Sequence, residues 1–183
     1  MRYISVLRGI NVGGHKKIKM ADLKALYIGL EFTNVITYIQ SGNVIFESSE
    51  TNVSLLIDKI EGGILKQYGF EVPVLIRTTE VWHNIIQNHP FDVDALENLT
   101  TISVTLLSSA PSETSFTTLM SYVKAPDLLT LDDKTIYLYT PNGYGKTKIT
   151  TNFIEKKLEV KATTRNWKSV MKLHELSKDE KGI

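Results

Sequence analysis

The glycine-rich stretch 8–14, Arg-Gly-Ile-Asn-Val-Gly-Gly, is the part of the sequence best suited to bind a ligand. Glycines let a loop adopt conformations that side chains forbid, and they leave backbone amides open to a ligand. A cation opens this loop, and lysines at positions 16, 17 and 19 close it. The pattern predicts an anion site, with the candidate ligand-binding residues Arg8, Asn11, Gly13 and Gly14. The alternative is a wide strand-to-helix connection that needs glycine only for its shape.

A second loop with anion-binding chemistry spans residues 140–148, Thr-Pro-Asn-Gly-Tyr-Gly-Lys-Thr-Lys. Its Gly145-Lys146-Thr147 matches the end of a P-loop, where backbone amides and a lysine hold phosphates. Thr140 stands where that motif requires a glycine, so the sequence argues against a nucleoside triphosphatase. Lys146 and Thr147 are therefore candidates for a looser anion site that opens the following helix. A simple turn that leads into the helix is the alternative.

Hydrophobic periodicity and turn residues predict the order βαββαβα in each half of the chain. In the first half we expect strands over Arg2–Leu7, Val35–Gln40, Val44–Glu47 and Val72–Arg77, and helices over Met20–Leu30, Asn52–Tyr68 and about 79–88. In the second half we expect strands over Thr101–Leu107, Leu128–Leu131, Thr135–Tyr139 and Val160–Thr163, and helices over Ser112–Val123, Thr150–Leu158 and Asn166–Leu176. The predicted fold class is α+β, a tandem duplication of ferredoxin-like (βαββαβ) subdomains that are each followed by an extra helix. The predicted domains are residues 1–90 and 98–183.

A sequence match at similar places in the two halves supports the duplication. The pair Thr78-Thr79 is followed by Trp82, and the pair Thr163-Thr164 is followed by Trp167 at the same spacing. Two apolar residues after each tryptophan keep that constant offset. The match predicts that the two tryptophans occupy equivalent positions in the two halves.

The predicted topology places two polar loops together. In a βαββαβ unit the first and second strands run parallel, so the loop after the first strand and the hairpin after the second share one edge. Arg8 and Asn11 should therefore lie near the hairpin, which adds the candidate ligand-binding residues Gln40, Ser41 and Asn43. The alternative is a pair of loops that hydrogen-bond to each other and need no ligand.

The last pair of candidate residues opens the final predicted helix. Arg165 and Asn166 would place a cation and an amide at a helix N-terminus, where free amides and the dipole favour an anion. Because ligands often bind in clefts, we expect Arg8, Lys146 and Arg165 to border one positively charged cleft that the two halves share. The competing interpretation is that Arg165 pairs with an acid such as Glu159 and is structural.

Composition excludes several other classes of site. The sequence has no cysteine, which excludes disulfides, thiolate metal sites and thiol catalysis. The four histidines do not fall at metal-ligand spacing and no Gly-x-Ser-x-Gly motif occurs, so we predict no metal, no cofactor and no particular catalytic residue. No window approaches about 18 uninterrupted apolar residues, so we expect no membrane span and a cytoplasmic location. The net charge of +1 means that any nucleic-acid surface would be local.

Four blocks of the sequence carry a family resemblance. They are Leu-Arg-Gly-Ile-Asn-Val-Gly-Gly at 7–14, Ile-Gln-Ser-Gly-Asn-Val-Ile-Phe at 39–46, Gly-Tyr-Gly-Lys-Thr-Lys at 143–148 and Ala-Thr-Thr-Arg-Asn-Trp at 162–167. Together they resemble the bacterial domain-of-unknown-function 1697 family across essentially the whole chain. The sequence departs from the family's usual pattern at Thr147, Lys168 and Ser169. The resemblance implies paired ferredoxin-like subdomains, and it brings no established activity, cofactor or catalytic residue.

The leading functional hypothesis is that a small anionic or phosphorylated ligand binds in a basic cleft. The alternatives are a nucleic-acid-binding protein and a scaffold that acts through protein partners. Whether the protein is an enzyme, and which oligomer it forms, does not follow from the sequence.

Overall fold

The computed structural model describes residues 1–93 and 98–178. Its first half forms β1 (Arg2–Leu7), α1 (Met20–Gly29), β2 (Thr33–Tyr38), β3 (Asn43–Glu47), α2 (Val53–Tyr68), β4 (Val74–Thr78) and α3 (Thr79–Gln87). Its second half forms β5 (Ile102–Leu107), α4 (Glu113–Met120), β6 (Leu128–Asp132), β7 (Thr135–Tyr139), α5 (Thr151–Leu158), β8 (Ala162–Asn166) and α6 (Trp167–Ser177). The predicted order βαββαβα is therefore present in both halves. The end of the second predicted domain, residues 179–183, lies outside the described residues.

The protein is a mixed α+β structure built on two antiparallel sheets. Within the described residues, each sheet has four strands, in the orders β2-β3-β1-β4 and β6-β7-β5-β8. The chain divides into two compact units, the first made of residues 1–84 with the end of α6 from Lys172 on, and the second of residues 85–171. Both α3 and α6 thus contribute one end to each unit. No helix in residues 1–93 and 98–178 is long and apolar enough to cross a membrane.

The helices of the first unit form where apolar residues repeat with helical spacing. In α2, Leu56, Ile60 and Ile64 recur every four residues, and all three are buried against the sheet. The side chain of Asn52 accepts a hydrogen bond from the amide of Ser54 and starts the helix. Gly69 ends it in the left-handed conformation, with φ of 75°. These two ends fix where the last residue of α2, Tyr68, lies.

The two units repeat the same backbone hydrogen bonds. The amides of Leu7 and Leu107 donate to the carbonyls of Gly42 and Lys134 at 2.8 and 2.9 Å. One residue later, the amides of Arg8 and Ser108 donate to the carbonyls of Pro73 and Lys161, both at 2.9 Å. The connections into β3, β4, β7 and β8 therefore correspond pair by pair.

This correspondence overturns the predicted equivalence of the two tryptophans. Thr78 and Asn166 are the last residues of β4 and β8, and they lie opposite Tyr3 and Ser103. Each then caps the next helix, because Thr78 Oγ1 accepts from the Val81 amide and Asn166 Oδ1 accepts from the Ser169 amide. Counted from these caps, Trp82 corresponds to Val170. Trp167 lies three residues earlier, nearly one helical turn away, so the sequence match had the wrong register.

Candidate functional site

The loop between β1 and α1 is held by the side chain of one residue, Asn11. Its Nδ2 donates to the carbonyl of Ile18 at 2.9 Å and to the carbonyl of Gln40 at 2.8 Å. Its Oδ1 accepts from the amide of Ile18 at 2.9 Å. Asn11 itself has a positive φ of 56°, which asparagine tolerates better than most residues. The loop after β1 is thereby tied to its own end and to the β2–β3 hairpin.

The β2–β3 hairpin is shaped by Ser41, Gly42 and Asn43. Asn43 is fully buried, and its Nδ2 donates to the Tyr38 carbonyl and to Ser41 Oγ at 3.0 and 2.9 Å. Gly42 has a φ of +77°, and a Cβ there would lie 2.8 Å from Leu7 Cβ. The predicted proximity of the two loops is confirmed by the Asn11–Gln40 hydrogen bond. Ser41 and Asn43 serve the hairpin's own conformation.

A groove of about 510 Å³ lies beside these loops. Its lining residues come from the loop, the start of α1, the hairpin and the end of α2: Asn11, Gly14, Lys17, Ile18, Lys19, Asp22, Gln40 and Tyr68. Three residues of the predicted site are thus brought to one cavity. The half-buried Arg8, the exposed Gly13, and Ser41 and Asn43 are not among its lining residues. Asp22 and Tyr68 were not predicted, because they are ordinary helix residues in the sequence.

The charges around this groove are mixed. Lys17 and Lys19 are exposed, while Lys16 Nζ donates a hydrogen bond to the carbonyl of Glu71 at 2.6 Å. Asp22 lies in the first turn of α1, where a carboxylate is favoured by the helix dipole. Burial, and secondly the charge of Asp22, raise the pKa of the Tyr68 phenol, and both residues line the groove. The groove therefore offers two ammonium groups, a carboxylate and an aromatic ring.

The second predicted loop does not open a helix at Lys146 and Thr147. Residues Tyr144–Lys146 form one 3-10 turn, and α5 starts only at Thr151. The first turn of α5 is satisfied by the protein itself, since Thr150 Oγ1 accepts from the Phe153 amide and the Tyr144 hydroxyl accepts from the Thr151 amide. The predicted helix start at Thr150 is therefore confirmed, whereas the expectation that Lys146 and Thr147 open this helix is wrong, because both residues precede its cap.

Lys146 and Thr147 instead line a smaller groove in the second unit. Its volume is about 310 Å³, and its lining residues are Tyr122, Lys124, Ala125, Pro126, Asp127, Asn142, Lys146, Thr147 and Lys148. The hydroxyl of Thr147 accepts a hydrogen bond from the Ile149 amide at 3.1 Å. Three lysines, Lys124, Lys146 and Lys148, thus line this groove, and only Lys146 was predicted from the sequence.

Arg165 and Asn166 belong to the end of β8. Asn166 caps α6. Arg165 is 9% exposed, and its Nη1 donates to Thr163 Oγ1 and to the Thr164 carbonyl, both at 2.9 Å. The corresponding residue of the first unit, Arg77, makes the same bond to the carbonyl of Ile76 at 3.0 Å. That Arg8, Lys146 and Arg165 border one cleft stays a prediction.

His89 provides a test of the packing in the second unit. Its ring packs edge-on against Trp167 and Tyr137, with centroids 4.4 and 5.1 Å away. Burial lowers the pKa of His89, although a hydrogen bond to the Phe91 backbone opposes the shift. The folded state therefore favours the neutral ring of His89. The contribution of His89 to the free energy of unfolding is fully present above the unfolded-state pKa of about 6.5.

We expect the free energy of unfolding to fall as the pH drops below about 6.5, through the lowered folded-state pKa. His89 can contribute at most about 1.4 kcal/mol per pH unit. The variant His89→Phe keeps an aromatic ring and cannot titrate, so its urea-unfolding curves should show a shallower slope between about pH 6.5 and 5. An unchanged slope in this variant would show that another group causes the pH dependence. His174 is one such group, because burial, and then the charges of Lys178 and His83, lower its pKa.

The described residues contain no cluster of three or more histidine, aspartate or glutamate side chains that could hold a metal ion. The histidines that do meet are His83 and His174, whose rings stack with centroids 5.1 Å apart.

These features define a two-unit α+β protein whose first unit carries a lysine-lined groove beside the end of its first strand. A family model described as "Protein of unknown function (DUF1697)" matches residues 1–137, and the protein belongs to that family. The resemblance inferred from the sequence is thereby confirmed. The matched range contains the two blocks at 7–14 and 39–46 and ends before the other two.

A solved structure shows the same overall fold. The conserved bacterial protein SP0830 from Streptococcus pneumoniae superimposes with a TM-score of 0.79 at 24% sequence identity, over 97% of this chain and 98% of that one. At this level of identity the likeness concerns the fold alone. No curated protein matches the sequence significantly.

Proposed function

We propose that the protein binds a small anionic or phosphorylated ligand in the 510 Å³ groove of its first unit. The observation that supports this proposal is that Asn11, Gly14 and Gln40 line one cavity together with Lys17 and Lys19. The sequence predicted the first three of these residues as anion ligands in two separate loops. In the structure they line the same groove as two exposed lysines. The volume lies within the range of roughly 300–1,000 Å³ that is typical of small-molecule sites.

The backbone around the two lysines is well suited to present them. Ile18, which lies between them, is buried, and both its amide and its carbonyl are bonded to the Asn11 side chain at 2.9 Å. The two cations therefore project from a fixed segment, which reduces the conformational entropy lost on binding. Lysine ammonium groups act as point charges toward phosphate oxygens.

We expect the double variant Lys17→Gln/Lys19→Gln to weaken binding of a phosphorylated ligand by at least about tenfold, or roughly 1.4 kcal/mol. The ligand is first found by the rise in melting temperature among sugar phosphates and nucleotides, and its affinity is then measured by calorimetry. The matched control is Lys156→Gln/Lys161→Gln, which removes the same charge from exposed positions of the second unit. The proposal fails if the first variant binds as tightly as the control.

A third variant, Lys146→Gln/Lys148→Gln, tests the groove of the second unit. Unchanged affinity in this variant supports the assignment to the first unit. If it loses affinity while Lys17→Gln/Lys19→Gln does not, the ligand belongs to the loop 140–148.

We further propose that the two units are a tandem duplication of ferredoxin-like subdomains, with the repeats at residues 1–90 and 98–183. The matching sheet orders and the matching backbone bonds of Leu7 with Leu107 and of Arg8 with Ser108 support this history. The groove lies on the first repeat, where the glycine-rich connection between β1 and α1 is longer than the connection between β5 and α4.

A further inference from the structure

The groove of the first unit holds two groups that a simple anion would not use. Asp22 repels phosphate, and the ring of Tyr68 offers a flat surface that phosphate cannot use. A ligand that satisfies the whole lining must carry an anionic group for Lys17 and Lys19, hydroxyl donors for a carboxylate, and a planar part for an aromatic ring. We infer that the groove takes a ribonucleoside monophosphate; this inference rests on the proposed anion site.

The ring and the hydroxyl of Tyr68 each contact a neighbouring side chain. It stacks on Phe70 with centroids 5.9 Å apart and planes 28° apart. Its hydroxyl accepts a hydrogen bond from Gln67 Nε2 at 3.2 Å. Tyr68 ends α2, and the left-handed Gly69 turns the chain so that Phe70 can pack against the ring. A ring fixed in this way is a platform on which a base can stack without ordering a mobile side chain.

Asp22 supplies the contact that distinguishes a nucleotide from other phosphates. Its exposed carboxylate accepts hydrogen bonds only, so neighbouring sugar hydroxyls are its natural partners. A ribose presents two such hydroxyls side by side, which both oxygens of one carboxylate can accept. Asp22 and Tyr68 line the same groove. The sugar-binding and base-binding groups therefore face one cavity, as the sugar and base of a bound nucleoside require.

Each of the three groups in the lining matches one part of a ribonucleoside monophosphate: the lysines its phosphate, Asp22 its ribose and Tyr68 its base. The lysines flank the buried Ile18 in the loop, Asp22 lies in the first turn of α1, and Tyr68 ends α2. Inorganic phosphate would use only the lysines, and ribose 5-phosphate would leave the ring of Tyr68 unused. A ribonucleoside monophosphate uses all three groups.

The test compares affinities measured by calorimetry for AMP, GMP, CMP, UMP, ribose 5-phosphate and inorganic phosphate. We expect at least one of the four nucleotides to bind roughly tenfold more tightly than ribose 5-phosphate. The variant Tyr68→Leu should abolish that advantage and leave the affinity for ribose 5-phosphate unchanged, whereas Tyr68→Phe should keep it. The variant Asp22→Asn should reduce the preference for a ribonucleotide over its 2′-deoxy form.

The outcomes separate this inference from the proposed function. If ribose 5-phosphate binds as tightly as all four nucleotides, or if Tyr68→Leu keeps the nucleotide preference, the nucleotide inference is wrong while the anion site stands. If none of these phosphates binds, the nucleotide inference is wrong. If they bind and Lys17→Gln/Lys19→Gln binds them unchanged, the proposed function itself fails. Urea unfolding of Tyr68→Leu shows whether a loss of nucleotide affinity reflects the site, because a folded variant that still binds ribose 5-phosphate retains the lysine end.

Discussion

Replacing Asn11 with aspartate is expected to lower the free energy of unfolding by about 2–4 kcal/mol and to abolish ligand binding in the groove. The substitution keeps the shape of the side chain and the oxygen that accepts from the Ile18 amide. It replaces the donor of two hydrogen bonds, to the carbonyls of Ile18 and Gln40, with an anionic oxygen that repels them. The loop should then detach from the hairpin, and Lys17 and Lys19 should lose their fixed positions.

Urea unfolding and amide hydrogen exchange measure the two parts of this prediction. The control Asn84→Asp adds the same charge at an exposed position of α3, and we expect its unfolding free energy to change by less than about 0.5 kcal/mol. Hydrogen exchange should accelerate at the Ile18 amide in Asn11→Asp and stay unchanged in the control. Full stability in Asn11→Asp would show that the loop is held by its backbone alone.

The role of Asn11 was predictable from the sequence in part. The strand order implied by βαββαβ placed the loop after β1 beside the β2–β3 hairpin, and the hydrogen bond from Asn11 to Gln40 confirms that placement. The sequence did not show that both ends of the Asn11 side chain bond to Ile18, because a loop conformation with a positive φ has no periodic signal. Asn11 consequently fixes the loop that lines the groove, and the positive charge of the groove comes from Lys17 and Lys19.

Other parts of the site depend on contacts that a local pattern does not encode. Tyr68 and Asp22 reach the groove only because α1 and α2 pack on the same face of the first sheet, and each appears in the sequence as an ordinary helix residue. The Gly-Lys-Thr sequence resembles the end of a P-loop, where the lysine and threonine open a helix, although the helix itself was correctly predicted to begin at Thr150. Thr150 caps that helix by accepting from the Phe153 amide, while the Thr147 hydroxyl accepts from the Ile149 amide, which lies before the helix.

The residue-by-residue correspondence between the two units could not be predicted from the sequence. Threonine and tryptophan recur at a constant offset, but the strand pairs Tyr3–Thr78 and Ser103–Asn166 set a different one. Helix caps follow the strand ends, so the caps Thr78 and Asn166 correspond while the tryptophans do not. Backbone hydrogen bonds, which depend little on residue type, show the correspondence between the two units more clearly than the side chains do.

Arg165→Ala is expected to lower the free energy of unfolding by about 2–4 kcal/mol, because Arg165 is mostly buried and hydrogen-bonded. Removing the guanidinium leaves Thr163 Oγ1 and the Thr164 carbonyl without the donor that now lies 2.9 Å from each. Arg77 occupies the corresponding place in the first unit and makes the same bond to the preceding carbonyl. An arginine that recurs in both units with one bonding pattern favours a structural role over a ligand-binding one.

Three further variants decide between these two roles for Arg165. Arg165→Lys keeps the charge but not the planar fork, so it should recover only part of the lost stability. Arg77→Ala should destabilise the protein as well, and by less, because Arg77 is more exposed. The exposed Lys168→Ala, three residues beyond Arg165, should change the unfolding free energy by less than about 0.5 kcal/mol. If Arg165→Ala instead keeps full stability in urea and loses binding of a phosphorylated ligand, Arg165 belongs to the binding site, as the sequence predicted, and its bonds to Thr163 and Thr164 serve to aim it.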